Sequence, residues 1–308
     1  MKIAVVLVTF NRLADLKKAI HCYEDQTNLM DYLIIVNNAS TDGTKEYLES
    51  WSENDSKYEK IVVHSSSNTG GSGGFYTGLK ESLKYDYDYV FLADDDAFAD
   101  PLMIEKIKSF YDMHKDKQNI VGMCTSVINH GKIDCMHRRR VITKFLSIKN
   151  VWIPKEEYEK PYFAVDEFSF VGAFIRKDII EKIGLPCKEY FIYYDDTEYS
   201  TRIRKCGNIF CIPDSKMNHN SVIDNKTSWK DYYVLRNSAD YLKKHYSKRH
   251  YYWYLLVQYV KKCTFLANIY KQRTPAQKRM FKIAIKDSRN NKLGIHPIYK
   301  PGVDIEQV

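Results

Sequence analysis

Over roughly the first hundred residues, short apolar runs alternate with stretches in which apolar positions return every three or four residues. That alternation is the mark of βαβ units around a largely parallel sheet. It predicts strands over 3–9, 32–37, 60–64 and 89–93, and helices over 13–23, 44–51 and 76–85. The short polar run Ser40-Thr41-Asp42-Gly43 suits the N-cap of the second helix. Periodicity weakens in the middle of the chain, where a strand is predicted over 166–176, helices from Lys177 and over 196–206, and an apolar strand ahead of His219. From Trp229 the pattern turns helical, over 229–246, 250–270 and 275–287. The fold class expected is α/β, a Rossmann-like, mostly parallel sheet flanked by helices, with a division into 1–227 and a helical region 228–308.

In open sheets of this type ligands sit beyond the carboxyl ends of the strands, and the unusual motifs fall there. Asp94-Asp95-Asp96 closes the apolar run 89–93. Three crowded carboxylates repel one another unless a cation neutralises them, and hard ions such as Mg2+ or Mn2+ prefer oxygen donors, so the triplet points to a metal and, through it, a diphosphate. An acidic turn capping the helix after Pro101 is the plainer alternative. Asn68-Thr69-Gly70-Gly71-Ser72-Gly73-Gly74-Phe75 places four glycines between a strand and a helix, where backbone N–H groups at Gly70 and Gly71 can approach a phosphate or base. Its spacing matches neither the dinucleotide fingerprint nor the P-loop.

Asn37-Asn38 at the second strand's end can hydrogen-bond a base or ribose, and Arg12 can neutralise phosphate; Arg138-Arg139-Arg140 is read as a solvated charge run. Five aromatic or apolar residues, 190–194, precede Asp195-Asp196, surroundings that raise a carboxyl toward a useful base, with Arg202 as the expected orienting partner. His219 beside such a site is a candidate ligand for a Mn2+-like ion.

Composition narrows the class. Apolar and charged fractions of 44% and 28% are those of a soluble globular protein, and seven cysteines without a CxxC pair suit reduced cytosolic thiols. The first apolar run is a strand too short to span a bilayer, not a signal peptide. The net charge of +8 is uneven: residues 228–308 hold 17 Lys and Arg against 5 Asp and Glu, and the remainder 30 against 34. A basic appendage on an acidic body suggests an anionic partner. The segment 251–269 is apolar and aromatic but interrupted by Gln258, Lys261 and Lys262. It suits lying on a membrane interface, or packing on the catalytic domain or a second subunit. Nucleic acid is not expected, because no matching motif occurs and the acidic clusters repel a phosphate backbone.

Taken in order, 5–12, 36–44, Asp94-Asp95-Asp96, Asp195-Asp196-Thr197-Glu198 and His219 resemble the inverting nucleotide-sugar glycosyltransferases of family 2, with the GT-A fold, over about residues 1–245. Within that family, 68–75, 191–196 and 232–237 look most like bacterial galactofuranosyltransferases; rhamnosyltransferases share much of the framework. The resemblance implies Asp94 and Asp96 holding Mn2+ or Mg2+ with His219 as third ligand, Asp196 of the pair with Asp195 as general base, and Thr9, Arg12, Asn38 and Asn68 around uridine diphosphate. Asn37 stands where the family often has Asp, and Tyr194 where a Trp commonly precedes the acid pair. The implied reaction carries a sugar, galactofuranose from UDP-galactofuranose, to a glycan or lipid-linked acceptor in cell-surface polysaccharide synthesis. The basic tail fits a cytoplasmic enzyme working at the inner face of the cell membrane, in peripheral contact through that tail, and a homo-oligomer is a further expectation. The alternatives are transfer of rhamnose from dTDP-rhamnose, or a non-catalytic sugar-nucleotide-binding subunit.

Overall fold

A computed structural model describes residues 1–220, 227–260 and 274–307. The chain runs β1 (Ile3–Thr9), α1 (Leu13–Glu24), β2 (Tyr32–Asn37), α2 (Thr44–Glu53), β3 (Glu59–His64), α3 (Gly70–Ser82), β4 (Tyr89–Asp94), β5 (Phe98–Ala99) and α4 (Met103–Met113). It continues through β6 (Ile120–Asn129), β7 (Lys132–Ile133), β8 (Arg138–Thr143), β9 (Ile148–Trp152), β10 (Phe163–Ala164), β11 (Glu167–Phe168), β12 (Ala173–Arg176) and α5 (Lys177–Ile183). It closes with α6 (Asp195–Ile203), β13 (Asn208–Asn218), α7 (Lys230–His245), α8 (Lys248–Val260) and α9 (Pro275–Arg289).

The main sheet has the order β10-β13-β6-β12-β4-β1-β2-β3. β3, β2, β1 and β4 run parallel; β12 enters antiparallel between β4 and β6, and β13 lies parallel to β6. β1 is buried along its whole length, as a central parallel strand with helices on both faces must be. Its odd residues Ile3, Val5 and Leu7 pack with α1, α2 and α4, and its even residues Ala4, Val6 and Val8 with α3, α5 and α6. Register then places the chemistry. Thr9 lies opposite Asn37, and Val8 opposite Asp94, so the ends of β1, β2 and β4 come out together at one edge.

Two elements depart from the sequence-based expectation. The predicted strand over 166–176 is two strands in two sheets: β11 joins β8 and β9 in a separate antiparallel sheet, and β12 joins the main one. The third helix starts at Gly70, so the glycines expected in a loop lie inside it. Glycine weakens an isolated helix, but here close packing on the sheet outweighs propensity. A Cβ on Gly78 would stand 2.3 Å from Val6 Cγ1 and 3.2 Å from Val36 Cγ2. Gly78→Ala is therefore expected to cost about 1–3 kcal/mol by overpacking, measured as a lowered urea midpoint.

The expected boundary at 227 falls next to residues outside the described ones, and part of the second C-terminal prediction, 250–270, with Lys261, Lys262 and Cys263, also lies outside them. α7 packs on α9 and α8, and it reaches into the catalytic body through buried Arg236, Asn237 and Asp240. Among the described residues no helix is long and apolar enough to cross a membrane.

Candidate active site

The carboxyl ends of β1, β2 and β4, with the first turn of α3, form one side of a cleft of about 310 Å³. Thr9, Arg12, Asn38, Asn68, Gly70, Gly71, Asp94 and Asp95 line it, and Phe191, Trp229, Lys230 and Pro301 close it from the other side. The C-terminal helical region thus contributes wall as well as charge.

The electrostatics of the cleft follow from crowding. Burial, followed by Asp96 and Asp95, raises the Asp94 carboxyl above its ordinary value. Asp95 is pushed up to about 6, chiefly by burial, although Thr9 Oγ1 donates to it at 2.7 Å and Arg12 lies 3.4 Å away. Burial would raise Asp96 as well, but His219 and Arg12 more than offset it and hold the carboxyl below its ordinary value. Arg12 bonds Asp96 directly, and His219 Nε2 lies 3.3 Å from its Oδ1. The His219 imidazole is raised in turn: burial opposes protonation, and Asp96 outweighs it.

Two carboxylates and an imidazole form a donor set that suits Mn2+ or Mg2+. Among the described residues, buried His219 Nδ1 has no hydrogen-bond partner, in keeping with a ligand role. As they stand, no three His, Cys, Asp or Glu side chains among the described residues converge on one point, and Asp96 is paired with Arg12 and His219. His137, 5.6 Å ring to ring from His219 and 3.7 Å from Asp134, extends this polar group. Nothing in its sequence neighbourhood marks it.

Across the cleft stands Asp195-Asp196, in the first turn of α6. Burial, then the neighbouring Asp196, raises the Asp195 carboxyl. Asp196 is half-buried; its Oδ1 accepts from Thr197 N at 2.5 Å and Oγ1 at 3.1 Å, and its Oδ2 lies 3.9 Å from the Arg139 guanidinium. The preceding loop is strained, with φ of 66° at Phe191, 64° at Tyr193 and 70° at Tyr194. It is held from two directions. Ser72 N donates to Phe191 O at 3.2 Å, an approach that needs glycine at 70, where φ is 71° and a Cβ would meet Phe191 O at 2.0 Å. From the other side, Asn237 Nδ2 donates to the carbonyls of Tyr190, Ile192 and Tyr193 at 2.8–3.1 Å, and Arg236 to those of Glu189, Tyr190 and Gly294.

Several assignments change in the folded chain. Arg202 does not orient Asp196: it forks onto Glu198 and donates to the carbonyls of Ile183 and Leu185, because one helical turn back from it stands Glu198. Arg139 takes the place beside Asp196. The arginine triplet is not a uniform solvated run. Arg138 is fully buried on four carbonyl oxygens, and Arg140 pairs with Glu157. Asn38 spends its side chain internally, accepting from Thr69 and donating to Asn68 Oδ1 and Gly70 O, so it shapes the glycine-rich turn. Asn37, buried, accepts from Ser40 N and lies 3.2 Å from His64 Nδ1, behind the cleft rather than on its wall.

Beyond Arg139 opens a second cavity of about 250 Å³, lined by Arg139, Asn150, Trp152, Tyr194 and Tyr254. Trp152 is 58% exposed.

Below the acid pair, Glu198 anchors α6. Burial alone would raise its carboxyl, but hydrogen bonds from His245 and Arg202 hold it below the ordinary glutamate value. A lowered folded value stabilises the protein above the ordinary glutamate range, and that contribution is lost as pH falls through the folded value. Glu198→Gln is expected to cost about 1–3 kcal/mol near neutrality. The gap to the unaltered protein should close in acid, which urea titrations at several pH values would follow.

The model of the family described as Glycosyl transferase family 2 matches residues 4–184. The galactofuranosyltransferase GlfT1 of Mycolicibacterium smegmatis is 23% identical over 206 residues, 67% of this chain and 66% of that protein. GlfT1 of Mycobacterium tuberculosis is 26% identical over 212 residues, 66% of this chain and 64% of that one. The match to GlfT2 of M. smegmatis, 24% identical, spans 40% of its length. The chain therefore spans just under two thirds of GlfT1. Among solved structures, residues 1–349 of S. aureus TarS superpose with a TM-score of 0.60 at 13% identity, covering 94% of this chain and 80% of that one. GalNAc-T7 with UDP, GalNAc and Mn2+ gives 0.64 at 14% identity, over 94% and 57%. The Pyrobaculum calidifontis mannosyltransferase with GDP-Man and Mn2+ gives 0.57 at 14% identity, over 94% and 83%.

Proposed function

Because the chain belongs to glycosyl transferase family 2 and has the GT-A fold, we propose that it transfers galactofuranose from UDP-galactofuranose, with inversion, to a hydroxyl of a glycan or lipid-linked acceptor. The observation that carries this reading is the Gly70–Phe191 contact, which sets the cleft ending in Asp94-Asp95-Asp96 directly against the loop that presents Asp196.

The cleft takes the donor. Arg12, the cation among its described strand-end residues, lies where it can meet a phosphate; the N–H groups of Gly70 and Ser72 are taken by Asn68 Oδ1 and Phe191 O, so α3 lines the same space through the bare backbone of Gly70 and Gly71. Asp94, Asp96 and His219 would hold a divalent ion, which when bound offsets the charge of the departing diphosphate. The acceptor enters from the cavity lined by Arg139, Asn150 and Trp152, with the indole as a stacking surface for a sugar ring. Asp196 takes the proton from the acceptor hydroxyl. That oxygen forms its bond to the anomeric carbon on the face opposite the breaking bond to the diphosphate, so the configuration inverts. Alignment of the two substrates and removal of one proton are the enzyme's main contributions.

The test is transfer or donor hydrolysis by the full chain with Mn2+, comparing UDP-galactofuranose, UDP-galactopyranose and dTDP-rhamnose. Turnover of the furanose donor alone, lost in Asp96→Ala, is the expected result. Turnover of another donor alone overturns the galactofuranose assignment, and nucleotide binding without turnover of any of the three overturns the catalytic one.

A further inference from the structure

The C-terminal helices leave one face unused by the chemistry. On α8, His250, Tyr251 and Leu255 turn inward; Tyr251 and Leu255 pack with Ala239 and Leu242 of α7 and Ile285 of α9. The opposite side is a stripe at helical spacing: Arg249, then Tyr252, Trp253, Leu256 and Tyr259, exposed by 62%, 38%, 51% and 61% for the last four. The tip of the β8–β9 hairpin extends this stripe. His250 Nε2 donates to Lys144 O at 2.9 Å, and the Arg249 guanidinium lies 4.7 Å from the ring of Phe145, itself 74% exposed.

Beside the aromatic stripe runs a cationic one. α9 carries Lys278, Arg279, Lys282, Lys286 and Arg289, and its one acidic residue, Asp287, is turned inward onto Tyr232. α8 has no acidic residue. A groove of about 540 Å³ separates the two, with Leu255 and Ile285 in its floor and Lys282, Lys286 and Arg289 at its edge.

We propose that α8, α9 and the hairpin tip form a docking surface for an anionic lipid bilayer. Tyrosine and tryptophan prefer the depth at which an apolar body meets lipid and a polar edge meets headgroups. Lysine and arginine alongside them reach the phosphates while their methylene stems stay on apolar surface. The absence of acidic side chains on the exposed faces of both helices removes the repulsion an anionic surface would otherwise meet. With no spanning helix among the described residues, the arrangement is that of a protein lying in the interface. The surface sits one helix away from the strained loop that presents Asp196, since α7 contacts both. Docking would therefore bring the acceptor side of the cleft to the membrane.

Vesicle binding tests this independently of any transfer activity. The full chain is sedimented with vesicles of phosphatidylcholine alone and of phosphatidylcholine with phosphatidylglycerol. Binding is expected to the second only, to fall with added salt, and to weaken at least about tenfold in Lys282→Glu/Lys286→Glu. Tyr252→Ser/Trp253→Ser is expected to weaken it as well, with circular dichroism and melting temperature unchanged in both variants. Equal binding to both vesicles, binding insensitive to the charge reversal, or loss of self-association in the aromatic variant with vesicle binding intact would each overturn the proposal.

Discussion

Asp196→Asn is expected to slow sugar transfer by about 10²–10⁴-fold, the range typical of a lost general base, while binding of UDP and the melting temperature stay unchanged. On the proposed function, the half-buried carboxylate beside Arg139 would be the group of the pair that receives the acceptor proton, Asp195 being buried. Asp195 is buried, and burial together with Asp196 raises its carboxyl, so an amide there removes a charge the site already disfavours. Asp195→Asn is therefore expected to lose less than about tenfold. Measuring kcat and donor KM for both variants separates the two carboxylates: a severe loss in Asp195→Asn with activity kept in Asp196→Asn would reverse the assignment.

The second large effect acts through the loop that leads into Asp195-Asp196. Asn237→Leu keeps the volume of the side chain but removes the donors from the carbonyls of Tyr190, Ile192 and Tyr193. The cost expected is roughly 2–4 kcal/mol, read as a lowered melting temperature, since the carbonyls of Ile192 and Tyr193 lose this donor together, while Tyr190 O keeps Arg236 and Ile192 N. Three residues of that loop hold left-handed backbone that only their surroundings enforce. Relaxing them moves the first turn of α6, so kcat should fall while donor KM changes little. Gly78→Ala, destabilising by a comparable amount but through crowding at β1 and β2, provides the comparison. If it lowers kcat as much as Asn237→Leu does, the effect of Asn237 is general instability and not placement of the base.

The half of the molecule built on β1–β4 was legible because parallel strands buried on both faces are written as uninterrupted apolar runs. Once their order is known, register alone brings Thr9 and Asp94 to one edge. The start of α3 was not legible, since four glycines argue against a helix until the nearness of Val6 and Val8 is seen. Arg139 was hidden for a different reason. In the sequence it is the middle of three like charges; in the fold the strand alternation of β8 sends Arg138 into the interior, and Arg139 to Asp196. Likewise, the resemblance marked residues 232–237 without a cause, and the carbonyls that Arg236 and Asn237 cap supply one.

The β8–β9 hairpin belongs to a three-stranded sheet of its own, sharing no strand with the main sheet. Trp152 and Asn150 thus stand on a piece of chain that can be exchanged without disturbing the strands carrying Thr9 and Asp94. On the proposed function, donor choice and acceptor choice would rest on separate sheets. Grafting 139–152 from a relative onto this scaffold should redirect which glycan is extended while the sugar added stays the same.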